Sequence, residues 1–199
     1  PTPSLVGKGA GTFSAERAAS CTDCAAGTFS PNSGSSVCIE CAAGKSAASA
    51  ATSCGACDAG RHSGEGATTC ASCSPGTVSI GGSPSCTACI EGSVSNEDRT
   101  QCEKCDPGTE ALNGTCIACE VGSFNPKAGE ECRPCEIGTT ASTTAALVCD
   151  PCPFSYTTTR EGSSECDGCI EGYCRSPTVT DEVVCVRCPE NAYCAGDSV

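Results

Sequence analysis

The chain of 199 residues has no tryptophan and no methionine, and only four phenylalanines and three tyrosines. Large aromatic and flexible apolar side chains supply most of the area buried in an ordinary core. Their scarcity excludes one or two conventional globular domains, which a chain of this length would otherwise form. Histidine occurs once, at His62, so histidine-based triads and histidine-rich metal sites have almost nothing to draw on. Basic residues are few as well, eleven against twenty-four acidic ones, for a net charge of −13. The excess is concentrated after residue 99, and such a surface repels phosphate backbones, so nucleic acid is not an expected partner. No apolar run approaches the ~20 residues of a membrane helix, so no membrane-spanning segment is expected in this chain.

What the chain has is cysteine: twenty-four residues, with twenty-three glycines and twelve prolines. Cysteine is thus about an eighth of the protein, above the ~8–10% that marks a disulfide scaffold. An even count at this density persists as disulfides in oxidising compartments, which places the chain outside the cell or on its surface.

The cysteines are periodic. C-x-x-C pairs begin at Cys21, Cys38, Cys54, Cys70, Cys86, Cys102, Cys116, Cys132, Cys149 and Cys166, with 10 to 13 residues between pairs. All variation in length falls between the pairs, so the pair is a joint and the segment between is a loop. Three residues after the second cysteine stands a glycine in every repeat but one: Gly27, Gly44, Gly60, Gly76, Gly92, Gly108, Gly122, Gly138 and Gly172, with Ser155 as the exception. A glycine so placed indicates a turn with positive φ, or close approach of the chain to a sulfur. Small polar residues and a turn-forming stretch such as Pro31-Asn32-Ser33-Gly34 follow. Each repeat therefore reads as a short strand, a turn and a short return into the next cysteine. No segment shows helical periodicity. A rod one hairpin thick would have no interior to fill.

The spacing is also compatible with zinc knuckles. An uninterrupted series with no four-cysteine grouping favours disulfides, and neither metal nor cofactor is expected. Two connectivities remain open. A local ladder joins the second cysteine of each pair to the first of the next: Cys24–Cys38, Cys41–Cys54, Cys57–Cys70, Cys73–Cys86, Cys89–Cys102, Cys105–Cys116, Cys119–Cys132, Cys135–Cys149, Cys152–Cys166 and Cys169–Cys185. Each such loop is worth about 3 kcal/mol in the chain-entropy account. The rival scheme pairs first with third and second with fourth, as Cys21–Cys38 and Cys24–Cys41. The ladder treats every repeat alike, in keeping with the lack of odd–even alternation. It leaves Cys21 as a candidate for an intermolecular disulfide, because Lys8 stands where the partner is expected. Cys174, Cys185, Cys188 and Cys194 follow at new spacings.

The unit Cys21-Thr22-Asp23-Cys24-Ala25-Ala26-Gly27-Thr28-Phe29-Ser30, running through Gly34-Ser35-Ser36-Val37-Cys38, resembles the ephrin-receptor-like cysteine-rich repeat. That repeat is related to the modules of tumour necrosis factor receptors. The resemblance extends over roughly residues 9–188 and implies an extracellular, elongated stack of disulfide-tied hairpins. It does not imply one function. The expected fold is small and disulfide-rich, mostly irregular with short β-hairpins, in an elongated solenoid-like rod of tandem ~16-residue repeats. Residues 1–20 form an N-terminal arm and a degenerate repeat, 21–165 nine tandem repeats, and 166–199 a variant repeat with extra cysteines.

Few other residues stand out. His62 occupies a loop position that Phe29 and Val78 fill elsewhere, so it reads as an ordinary loop residue. Asn113-Gly114-Thr115 is a glycosylation sequon. Thr139 to Thr144 and Thr157-Thr158-Thr159 are candidates for O-linked sugars on composition alone. No catalytic residue is expected. The reading is a non-catalytic extracellular structural protein that forms or decorates a fibre or appendage, with copies of itself and glycans as partners. A receptor ectodomain or adhesion stalk that binds a protein ligand is the alternative.

Overall fold

A computed structural model describes residues 9–14, 20–176, 183–190 and 193–196. Among these residues there is no helix, and every strand is two to four residues long. Of the expected arm and degenerate repeat over residues 1–20, residues 1–8, with Lys8, and 15–19 lie outside the described residues.

Each repeat begins with a tight turn. After Cys24, the Thr28 amide donates to the Ala25 carbonyl at 3.0 Å, with Gly27 at φ 87°. Positive φ at the third position of a hydrogen-bonded four-residue turn is the type II arrangement, which favours glycine there and proline just before it. Pro75-Gly76 and Pro107-Gly108 meet both preferences. The threonine that so often follows adds a second bond to the same carbonyl, as from Thr77 Oγ1 to Ser74 and from Thr109 Oγ1 to Asp106, both 2.7 Å.

The turn feeds a short strand that pairs antiparallel with the two residues inside the next C-x-x-C. Thr28–Phe29 pairs with Ile39–Glu40, with Phe29 opposite Ile39. Lys45–Ser46 pairs in the same way with Gly55–Ala56, and Arg61–His62 with Ala71–Ser72. The return strand is therefore the dipeptide between two cysteines. Thr12–Phe13 pairs with Thr22–Asp23, so the degenerate repeat makes the same hairpin without its cysteine.

The chain forms two compact units. One comprises Pro1–Ile90 with Val94–Glu103, the other Glu91–Ser93 with Lys104–Val199. In the first, successive repeats are laid against one another by backbone bonds: Gly27 N donates to Ala47 O (2.8 Å), Gly44 N to Ser63 O (2.7 Å) and Gly60 N to Ser79 O (2.9 Å). In the second the same bonds run from Gly108 N to Asn125 O (2.8 Å) and from Gly122 N to Ala141 O (2.7 Å).

Contrary to the expectation of no interior, each unit buries a narrow line of small side chains. The sixth residue after the second cysteine is buried in most repeats: Ser30, Ala47, Ser63 and Ser79 in the first unit, Asn125, Ala141 and Thr158 in the second. The half-cystines Cys24, Cys41, Cys57, Cys73, Cys105, Cys119, Cys135 and Cys169 lie beside them, each at most 2% exposed. Stacked hairpins tied by sulfur leave room for a hydroxyl or a methyl and little more. No aromatic among the described residues is fully buried: Phe29 and Phe124 are half-buried and Phe154 is 82% exposed.

Candidate functional site

The glycine after each joint has a role beyond its turn. Of the two expectations for it, the positive-φ turn is present, and at Gly44 and Gly122 the close neighbour is backbone rather than sulfur. Gly44, at φ 81°, faces the Gly82 carbonyl, and Gly122, at φ 82°, faces that of Gly162. Each contact reaches the turn of the repeat after next, a non-local approach that no local spacing encodes. Ser155 takes the same turn position at φ 76°, in the left-handed region that an L-residue enters at a cost of about 1–2 kcal/mol.

The cysteines follow one pattern. Cys24 is bridged to Cys38, Cys41 to Cys54, Cys57 to Cys70, Cys73 to Cys86 and Cys89 to Cys102 in the first unit. In the second, Cys105 is bridged to Cys116, Cys119 to Cys132, Cys135 to Cys149, Cys152 to Cys166 and Cys169 to Cys185. Their Cα atoms are 5.5 to 5.8 Å apart, the ordinary span of a disulfide. Cys24 and Cys41, which the rival scheme pairs, belong to different bridges.

Cys21 is unbridged and half-buried, and so is Cys174. An eleventh bridge, absent from the sequence reading, joins Cys188 to Cys194. The three sulfurs of Cys174, Cys188 and Cys194 lie within 4.8 Å of one another. The signal was in the sequence: Cys185-Val186-Arg187-Cys188 is a further C-x-x-C pair, and the ladder carried one rung on joins Cys188 to the next cysteine, Cys194.

Polar groups in the interior are bonded across repeats. Ser63 Oγ donates to Lys45 O at 2.9 Å and Ser79 Oγ to Arg61 O at 2.8 Å. Asn125 does most: its Nδ2 donates to Thr109 O (2.7 Å) and Glu130 O (2.6 Å), and its Oδ1 accepts from Lys127 N (3.0 Å). Thr158 Oγ1 accepts from Gly138 N at 3.0 Å. Thr157 and Thr158 are 6% and 0% exposed, so these two O-glycan candidates are packed inside rather than presented to solvent. Sequence reasoning missed this line because Ser, Ala, Thr and Asn also fill loops.

Asn113 lies exposed at φ 52°, with Gly114 at φ 80°, in the two-residue turn between Thr109–Leu112 and Thr115–Ala118. Positive φ at both central residues is the mirror-type hairpin turn for which Asn-Gly is favoured. His62 is half-buried on its short strand opposite Ala71. Partial burial pushes the Asp167 carboxyl up, but hydrogen bonds from the Thr159 amide and hydroxyl, with Arg160 nearby, outweigh it and hold the group below its usual range. Both bonds are 2.8 Å. Glu130 pairs with Lys127 and Arg133 at 3.2 and 3.0 Å on the surface, where such pairs contribute little.

No curated protein sequence matches the chain. Residues 11–57 are similar to the family model described as tyrosine-protein kinase ephrin type A/B receptor-like, and with the regularly spaced bridges this fits a tandem cysteine-rich repeat protein.

Proposed function

We propose that the protein is an extracellular structural element, a repeat-built rod that forms or decorates a fibre or appendage. Ephrin-receptor-like repeats are a non-enzymatic, extracellular type of module. The observation that carries the reading is the sameness of the joints. Cys41 N donates to Gly27 O at 2.9 Å and Cys57 N to Gly44 O at 2.9 Å; in the second unit Cys119 N donates to Gly108 O at 2.9 Å and Cys135 N to Gly122 O at 2.8 Å. A chain specialised for one ligand breaks its own pattern where the ligand sits. This one repeats a load path. Copies of the same chain are the partners, with Cys21 available for a covalent link between them and Asn113 for a glycan.

Electron microscopy of native material tests the proposal. Filaments whose axial repeat matches the length of one chain support it. Monodisperse particles that bind a soluble partner overturn it in favour of a receptor ectodomain or adhesion stalk. That second reading draws on the exposed apolar residues, Ile80, Ile90 and Phe154, each more than 70% accessible. Of these Phe154 is aromatic, the kind of side chain enriched at the centre of protein interfaces.

A further inference from the structure

Cys174 is the middle residue of the strand Tyr173–Arg175, which pairs with Cys185–Arg187 so that Cys174 lies opposite Val186. The Cys169–Cys185 bridge joins this hairpin at its loop end, where Cys185 pairs with Arg175. Gly172, two residues before Cys174, then holds both halves of the last bridge. Its carbonyl accepts from Cys188 N at 3.0 Å, and its amide donates to Cys194 O at 3.2 Å. An unbridged cysteine and an intact disulfide are thereby fixed by backbone bonds within 4.8 Å, sulfur to sulfur. Among the described residues no other three side chains of the metal- or thiol-bearing kind converge in this way, and Cys21 has no such company.

From this arrangement we infer that Cys174, Cys188 and Cys194 form a thiol–disulfide exchange site, in which one thiol and one bridge are shared among three sulfurs. The thiolate is the attacking species, and attack proceeds through a transient three-sulfur arrangement. Cys174, having given up its proton, attacks the sulfur of Cys194. The Cys174–Cys194 bond forms as the Cys188–Cys194 bond breaks. The electron pair leaves on the Cys188 sulfur, which takes up the proton. Attack on Cys188 is the equivalent step and releases Cys194. No oxidant or reductant is consumed, so the site exchanges partners at constant redox state. All three cysteines are half-buried and so open to solvent. The inference stands independently of the fibre reading.

The chain carries its own assay. Trypsin cuts after Arg160, Arg175 and Arg187, which puts Cys188 and Cys194 together on the peptide 188–199 and Cys174 on the peptide 161–175. With the Cys188–Cys194 bridge intact, peptide 188–199 is released alone under non-reducing conditions. After exchange it stays joined to 161–175. The full-length protein, carrying Cys21→Ser to remove scrambling between chains, is incubated at pH 8, then trapped with N-ethylmaleimide and digested. The expected result is a joined fraction that grows with incubation, with the label moving to Cys188 or Cys194, and its abolition by Cys174→Ser. Release of 188–199 alone at all times, with label on Cys174 only, overturns the inference. So does one zinc ion per chain with all three thiols free, by elemental analysis and thiol titration.

Discussion

Gly44 and Gly82 approach so closely that a methyl group on Gly44 would stand 1.9 Å from the Gly82 carbonyl oxygen. Gly172 has a similar backbone, φ 86° against 81°, but no neighbour within 4 Å of that position among the described residues. The pair separates two effects that usually occur together. Alanine at Gly172 adds only the left-handed penalty of about 1–2 kcal/mol. At Gly44 it must also push apart two repeats. Thermal unfolding of Gly44→Ala should show a markedly larger loss of stability than Gly172→Ala. Equal losses would mean that the non-local contact carries no weight.

Ser155 should respond in the opposite direction. It sits at φ 76°, and Tyr156 N closes its turn on Pro153 O at 3.0 Å, the geometry its counterparts reach with glycine. Ser155→Gly relieves the strain but frees the unfolded chain, so the net gain should be about 0.5–1 kcal/mol. Amide exchange at Tyr156 should slow accordingly. Faster exchange would show the serine to be bound by something stronger than its turn.

Asn125 replaces a serine or alanine in the buried line and makes three bonds there. Asn125→Ala leaves the Thr109 and Glu130 carbonyls and the Lys127 amide without that partner, at about 1–3 kcal/mol for each group that water cannot reach. Limited proteolysis under native conditions should open the segment around residues 125–130 first. Unchanged resistance would place water in the vacated space.

The pH response of Asp167 has a definite sign. Its folded-state pKa is depressed, so the stabilisation is fully present above the unfolded value of about 3.9 and is lost as pH falls through the folded value. Carbon-13 titration should place the Asp167 transition below about 3.9, and the Thr159 amide should lose protection over the same acidic range. Asp167→Asn should remove the dependence. A transition above 3.9 would contradict the hydrogen-bonded account.

Asn113, exposed on a two-residue turn, should carry a glycan when the protein is secreted from eukaryotic cells. Enzymatic removal of N-glycans should then lower the mass of the wild type and leave Thr115→Ala unchanged. An unmodified wild type would retire the sequon as a coincidence of turn chemistry.

These residues also mark how far the sequence could be read. The period, the turn after each joint and the short hairpins are local, and local residues announce them: Pro75-Gly76 and Pro107-Gly108 nearly spell out the turn. The buried line was hidden because Ser63 and Ala141 look like loop filler until a neighbouring repeat closes over them. The contact of Gly44 with Gly82 was hidden because it joins residues 38 positions apart, a separation set by stacking rather than by any pattern along the chain. Near Val199, Cys185-Val186-Arg187-Cys188 extends the ladder one rung to Cys194, and only tertiary structure brings that bridge to Cys174.

The ladder has a mechanical consequence. Pulled from both ends with every bridge intact, the chain does not transmit force through its loops. The taut covalent path crosses each bridge and then the short C-x-x-C, from Cys24 to Cys38 and on to Cys41 and Cys54. Bridge Cα atoms lie 5.7 Å apart in both, and three residue steps add about 10 Å at ~3.4 Å each. The fully drawn length is then about 16 Å per repeat, against roughly 55 Å for the same ~16 residues without the bridge. Under tension the protein is a short-linked chain rather than an extensible coil: its loops can be reshaped or lengthened without lengthening the tether.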